Sequence, residues 1–402
     1  MKVQRIEQII IKKSHPKFKV IDKMCINTKI LYNEANSVLL EHYKNTGEYI
    51  KYKDMNYMFK TYTSYKNCFS QPANCVMRLL DKNWKSYFRS IQDYEKYPYK
   101  YRGKPQLPSI LDNDARIPWM FPNNQVLYLY DNNTVYIRNR LLNDYEWKSK
   151  CLGRLIQVRF VYHKTYYSME IVYEIGLNDL NQNSSRIISI DLGVDNLATV
   201  SNNISISPFI INGKILKSIN NQYLKKYHMA MEDLQNRNGK TWSHKIESLN
   251  DKRHFRVKDY IHKSTAYIIK WCIENNIDTI IVGRNKYWKQ ANHMKYFMKI
   301  PFNMFREQLK YKSENIGINY IEVNESYTSG TSYLDDEYPI KENYDKSRRI
   351  TRGLFKSQNM LINADVNGSL QIMRKIFPNA YTGYGVEVNP TPVIINPLNP
   401  NG

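Results

Sequence analysis

The chain has 402 residues, 42% of them hydrophobic, and carries 59 Lys+Arg against 37 Asp+Glu, a formal net charge of +22. That length suits two or three units with a real core and excludes a wholly disordered chain, and the positive surplus points to a polyanion, nucleic acid before an anionic membrane. The five cysteines form no C-x-x-C pair, which leaves a zinc ribbon, a thioredoxin-type motif and a disulfide framework unsupported.

The opening MKVQRIEQIIIKK lacks a signal peptide's apolar core. No run of about 18 apolar residues follows, so neither a membrane span nor membrane association is expected and the location is expected to be cytoplasmic. Residues 3–12 alternate as a strand. Residues 18–43 and 69–93 have helical spacing, with Phe18, Ile21, Cys25, Tyr32, Ala35 and Leu39 roughly on one side of the first and Val76, Leu79, Leu80 and Trp84 marking the second. Lys and Tyr crowd their other faces, and the 34 tyrosines of the chain are suited to stacking on unpaired bases while the cations hold phosphates. From 125 the period becomes two: VLYLY-DNNT-VYIRN and IQVRFVY-HKT-YYSMEIVYEI read as hairpins of a small β-barrel. The polar stretch 177–185 marks the main boundary.

The second half alternates strands and helices. Arg186 to Asp191 reads as a buried strand, with Leu197–Val200 its hairpin partner. Residues 213–250 are helical and charged, and 252–275 form a long amphipathic helix carrying Arg253, Arg256, Lys258 and Lys263. Strands at 279–282 and 318–323 bracket a helix at 302–315. Asn363 is placed to cap a last helix reaching Phe377, and the Pro/Asn-rich end is expected to be flexible. The pattern predicts an α/β fold, a mixed sheet flanked by helices, with functional side chains at strand ends.

Three carboxylates stand at such ends. Asp191 closes an apolar strand before Gly193, Glu325 follows the strand 318–323, and Asp365 lies in the first turn of the final helix, where the helix dipole favours it. Each has a plainer reading, as a turn residue, a solvated loop charge and a helix-start Asp. Glu322 is near Glu325, but alternation turns it to another face. Hydrolysis of a phosphodiester needs an activated water and charge stabilisation on two oxygens. Two divalent ions do both, and they demand hard oxygen ligands on rigid elements.

Taken together, IISIDLGVDNLATV and INADVNGSLQIMRK resemble the first and third RuvC motifs of TnpB (OrfB), the RNA-guided nuclease of insertion sequences. RVKDYIHKSTAYIIKWCIENNIDTIIVG resembles the helix before its second motif. The resemblance covers residues 186–377, and compact type V CRISPR effectors and Fanzor share the core. It implies an RNase H-like (RuvC) nuclease domain over 181–380 and a wedge β-barrel from residues 1–16 and 116–180 interrupted by a helical recognition lobe at 17–115, with a tail at 381–402. It further implies Asp191, Glu325 and Asp365 as catalytic metal ligands for two Mg²⁺, with Mn²⁺ as a substitute, a noncoding guide RNA, and double-stranded target DNA. The chain departs from the family twice. The second motif's strand ends in Gly283 instead of Glu, so the resemblance assigns that role to a displaced Glu325. Residues 327–362 contain no Cys where a four-Cys ribbon is usual, so no structural zinc is expected and Asp335, Asp336 and Glu337 read as solvated loop charges. A nuclease-inactive guided repressor and a DNA-joining transposase remain alternatives, and the oligomeric state is open.

Overall fold

The computed structural model describes residues 2–151, 153–177, 185–285, 300–358, 360–380 and 391–399. The chain divides into two compact units, Met1–Gly176 and Leu177–Gly402.

In the first unit, β1 (Lys2–Ile11) runs antiparallel to β7 (Tyr167–Gly176), β7 to β6 (Arg154–Tyr162), and β6 to β2 (Trp119–Pro122). A second sheet joins β3 (Val126–Leu129), β4 (Thr134–Ile137) and β5 (Trp147–Lys148). Both sheets contribute to one aromatic core around Trp119, Phe121, Trp147 and Phe160. Four helices lie between β1 and β2: α1 (Phe18–Thr46), α2 (Tyr52–Phe59), α3 (Thr63–Asn67) and α4 (Ser70–Lys96). Leu31, Ala35 and Leu39 of α1 meet Val76, Leu80 and Trp84 of α4, as the 3.6-residue period requires. The buried Trp84 indole donates to Asn36 Oδ1 at 2.9 Å, so its polar edge is satisfied inside the core.

The second unit is built on a six-stranded mixed sheet, ordered β12-β11-β8-β9-β10-β16. Here β8 is Ile187–Leu192, β9 Asn196–Asn202, β10 Phe209–Asn212, β11 Thr279–Arg284, β12 Asn319–Asn324 and β16 Val393–Ile395. The helices are α5 (Lys214–Asn238), α6 (His244–Glu274), α7 (Phe302–Asn315) and α8 (Ala364–Ile376). Strand alternation divides them: Ile188, Ile190 and Leu192 pack with α6 and α7, while Ile187 and Ile281 pack with Ile372 and Met373 of α8. Burial of Ile188, Ile190, Ile280 and Val282 contributes roughly 1.5–3 kcal/mol per side chain, enough to hold a charged residue at the strand's end. The expectation of a flexible end fails at Val393–Ile395. These β-branched residues pair in parallel with Phe209–Ile211, the free edge that β10 offers. Residues 381–390 and 400–402 lie outside those described.

The Cys-free segment folds as a small antiparallel sheet of β13 (Arg349–Thr351), β14 (Leu354–Lys356) and β15 (Leu361–Asn363). Its acidic residues correct the sequence reading. Arg348 pairs with both Asp335 and Glu337, the latter at 2.6 Å, and Asp335 also accepts from Gln358 N at 3.1 Å. Only Asp336 is solvated; it meets Arg374 at 2.7 Å with its side chain 94% exposed. Segment 331–333 is tied to α8 by Asn367, whose amide accepts from Tyr333 N at 2.9 Å and donates to Thr331 O at 2.8 Å.

Burial raises the Asp335 carboxyl, but hydrogen bonds from Gln358 N–H, Ser332 and Arg348 outweigh it and hold the group below its ordinary 3.8. A depressed folded pKa gives stability that is complete above the unfolded value and lost as pH falls through the lowered one. Arg348→Met, which strands two carboxylates, is expected to cost about 3 kcal/mol locally. Hydrogen exchange over 331–358 should then show near neutrality the opening that the unaltered chain shows only in acid. Unchanged protection in the variant would rule the network out as the segment's tie.

Candidate active site

Asp191 is the fifth residue of β8 and, with Ile187 and Ser189, faces α8. It is only partly accessible. Its carboxyl is raised well above the usual range by burial first, then by the charges of Glu325 and Asp365, with Arg349 opposing. The helix passes close because Gly368 faces it: a Cβ there would lie 2.9 Å from Asp191 Oδ2. Ser369, the next residue, meets Ser201 of β9.

Glu325 stands one residue beyond β12. In the parallel register Gly283 faces Val323 and Arg284 faces Asn324, so the chain delivers Glu325 beside the end of β11. A Cβ on Gly283 would lie 2.9 Å from Glu325 Oε2, so the displaced carboxylate occupies space that a side chain at 283 would need. Burial pushes this carboxyl up to about 7, against a hydrogen bond from Asn285 and the charges of Arg306 and Lys375. Its Oε2 is buried with no hydrogen-bond partner among the described residues. Lys375 of α8 secures the loop, donating to the carbonyls on both sides of Glu325: Asn324 O at 2.9 Å and Ser326 O at 2.5 Å. Glu322 turns away to Arg284 at 3.2 Å and Arg306 at 3.7 Å.

Asp365 opens α8. Asn363 caps the helix, its side chain accepting from Asp365 N at 3.0 Å and Val366 N at 3.2 Å. The Asp365 carboxylate accepts from Asn196 Nδ2 at 2.6 Å and from the Arg349 guanidinium at 3.2 Å. Nearby Asp195 binds Lys217 and, at 2.8 Å, Arg352. The fold thus brings Glu325 and Asp365 each within range of Asp191's charge. Among the described residues, no group of three His, Cys, Asp or Glu side chains is disposed to hold a metal ion; Asp365 is taken up by Asn196 and Arg349. The donor set nevertheless suits a hard divalent cation: carboxylate oxygens, Asp191 raised by burial and neighbouring charge, Glu325 raised by burial, and one oxygen without a hydrogen-bond partner among the described residues.

Arg349, Asn196 and Lys375 were missed by sequence reasoning. The arginine-rich RRITRG run, residues 348–353, was the one local signal for the first. Nothing local marks the other two.

Residues 170–289 match the family model OrfB_IS605, described as a probable transposase, and residues 302–372 match that of the Cas12f1-like TNB domain. No curated protein matches the chain. Among solved structures, a Cas12f1–sgRNA–target DNA complex aligns with TM-score 0.55 at 14% identity, over 88% of this chain and 82% of that one. The mini-RNA-guided endonuclease CRISPR-Cas_phi3 aligns at 0.48 and 11% identity, over 96% and 94%. The fold is therefore mixed α/β and similar to that of the Cas12f1 chain. The family likeness thus lies in two segments, 170–289 to the OrfB_IS605 model and 302–372 to the Cas12f1-like TNB model. No helix among the described residues is long and apolar enough to cross a membrane.

Proposed function

We propose that this chain is an RNA-guided DNA endonuclease of the TnpB type. Asp191, Glu325 and Asp365 form its RuvC-like centre, and the helices and sheets of residues 1–180 take up the guide RNA and its DNA duplex. The observation that carries the reading is Glu325, whose carboxylate lies over Gly283 at the place of the missing second-motif acid. The likeness of residues 170–289 and 302–372 to these family models and a net charge of +22 support nucleic acid as the partner.

Divalent ions, Mg²⁺ by choice of ligand, would supply an activated water and neutralise the charge that develops on the attacking and leaving oxygens. The protein's own part is to crowd acids. Burial raises the Asp191 and Glu325 carboxyls, and neighbouring charges raise Asp191 further, so a divalent cation held there would relieve the cost of their negative charge. Asn196 fixes one Asp365 oxygen. Arg349 balances that charge and offers the phosphodiester a guanidinium at the same edge.

The test is to purify the chain with its RNA, sequence that RNA, and incubate a matched duplex with Mg²⁺. Guided cleavage is expected, with Asp191→Asn abolishing it by on the order of 10³-fold while RNA and target binding persist. Guided binding without cutting by the unaltered chain would favour a repressor, and strand-joined products a transposase. Binding that needs no RNA would overturn the guided reading.

A further inference from the structure

One acid of the carboxylate centre is held by an arginine, and the hairpin of β13 and β14 keeps that arginine in place. Both oxygens of Asp365 are engaged: Oδ2 by Asn196 at 2.6 Å and Oδ1 by Arg349 at 3.2 Å. The Arg349 guanidinium is itself fixed by the turn, its Nε and Nη2 donating to Arg352 O at 3.1 and 2.7 Å. The Arg352 side chain reaches Asp195, between β8 and β9, at 2.8 Å. One residue thus ties the turn to the sheet by its side chain and holds Arg349 by its carbonyl. The base of the hairpin is packed, with Phe355 and Ile362 buried against Tyr333 and Leu370. Its turn is not: residues 350–353 are exposed, Ile350 by 52%.

An ion pair of this kind opposes metal binding. With Asp365 engaged, no three His, Cys, Asp or Glu side chains among the described residues are disposed to hold an ion. An arginine stays charged at any working pH, so acid or base does not release it. A competing anion does, and a phosphodiester accepts a guanidinium at two oxygens as a carboxylate does. The outer pair is the weak part of the arrangement: the Arg352 side chain is 76% exposed, and such pairs are shallow and screened by salt.

We infer that the β13–β14 hairpin is an autoinhibitory latch: Arg349 keeps Asp365 from a divalent ion until a phosphodiester of the bound DNA takes up the guanidinium, and the Arg352–Asp195 pair is the outer tie. Metal and DNA then raise each other's affinity by the same factor. The inference rests on the nuclease reading for the ion and the DNA, but its test needs no cleavage. Mn²⁺ affinity is measured by paramagnetic resonance on the RNA-loaded chain, with the Asp191→Asn chain as the background for ions held by RNA. Asp195→Asn removes a negative charge near the centre and frees Lys217. Charge alone would weaken Mn²⁺ binding, whereas release of the latch should tighten it by on the order of fivefold. Arg352→Ala, a change at an exposed side chain, should tighten it as well and raise hydrogen exchange over 349–354. A matched duplex of phosphorothioate linkages, which resists cutting, should tighten Mn²⁺ binding in the unaltered chain and much less in Asp195→Asn, where the latch is already open. Weaker or unchanged Mn²⁺ binding in Asp195→Asn overturns the latch, and equal tightening by the duplex in both chains overturns its release by DNA. Mn²⁺ binding no better than background in the unaltered chain and both variants removes the metal centre itself. Guided cleavage is scored separately, so failure of the nuclease reading and failure of the latch give different results.

Discussion

Glu325→Gln is expected to lower guided cleavage by on the order of 10³-fold while leaving RNA and target binding in place. Gln keeps the volume and the hydrogen bond to Asn285 but removes the charge that a divalent ion needs. The stronger form of the prediction moves the acid. A Cβ at Gly283 would meet two flexible side-chain ends, Ile372 Cδ1 at 2.6 Å and Glu325 Oε2 at 2.9 Å. Removing both by Glu325→Ala and Ile372→Val, the latter costing about 0.5–1.5 kcal/mol, makes room for Gly283→Glu. The triple variant should recover at least about tenfold over Glu325→Ala, because the cleft needs a carboxylate there and not a particular strand. Full activity in Glu325→Gln would remove this residue from the centre.

The same substitution has a stability signature that needs no substrate. Burial raises Glu325 from 4.5 to about 7. A carboxyl raised on folding penalises the folded state fully above about pH 7, progressively less down to 4.5, and not below. Without divalent ions, Glu325→Gln should therefore melt above the unaltered chain near pH 8 and together with it near pH 4. Added Mg²⁺ should raise the melting temperature of the unaltered chain and much less that of the variant. Equal melting at both pH values would contradict the buried-charge account.

Lys375→Met is expected to lower cleavage by about 10–100-fold without touching the metal ligands directly. Lys375 spans the carbonyls on either side of Glu325, so its loss frees the loop that carries the acid. It also removes a positive charge that lowers the Glu325 carboxyl, which then rises further. Lys375→Arg should restore most of the rate, since a guanidinium also reaches carbonyl oxygens. Two measurements separate positioning from folding: the Mg²⁺ concentration for half-maximal rate should rise in Lys375→Met, and the melting temperature should change little because Lys375 is only half-buried. An unchanged Mg²⁺ requirement would make Lys375 a merely structural tie.

Asp191, Asp365 and their frames were legible in the chain because their determinants are local. Four largely apolar residues before Asp191 specify a strand that ends in a carboxylate, and an Asn two positions before Asp365 specifies a capped helix start. The long amphipathic helix α6 follows from its own period, as does the β6–β7 hairpin from its alternation and short turn. Glu325 was legible only by analogy, as a Glu needed somewhere after Gly283; nothing local distinguishes it from a solvated loop residue. Its place depends on the parallel register of β11 and β12 and on a lysine fifty positions further on, contacts that exist only once the sheet and α8 have assembled. The same reason hid Arg349 and Asn196, which reach Asp365 from a small sheet and from the start of β9. It also hid the split among Asp335, Asp336 and Glu337. Three adjacent acids look alike as a charged loop, and only folding puts the first and third on Arg348 and leaves the second in water. Periodicity and caps act between neighbours in the chain. Which oxygen ends up beside which cation is decided by strands and helices brought together from far apart.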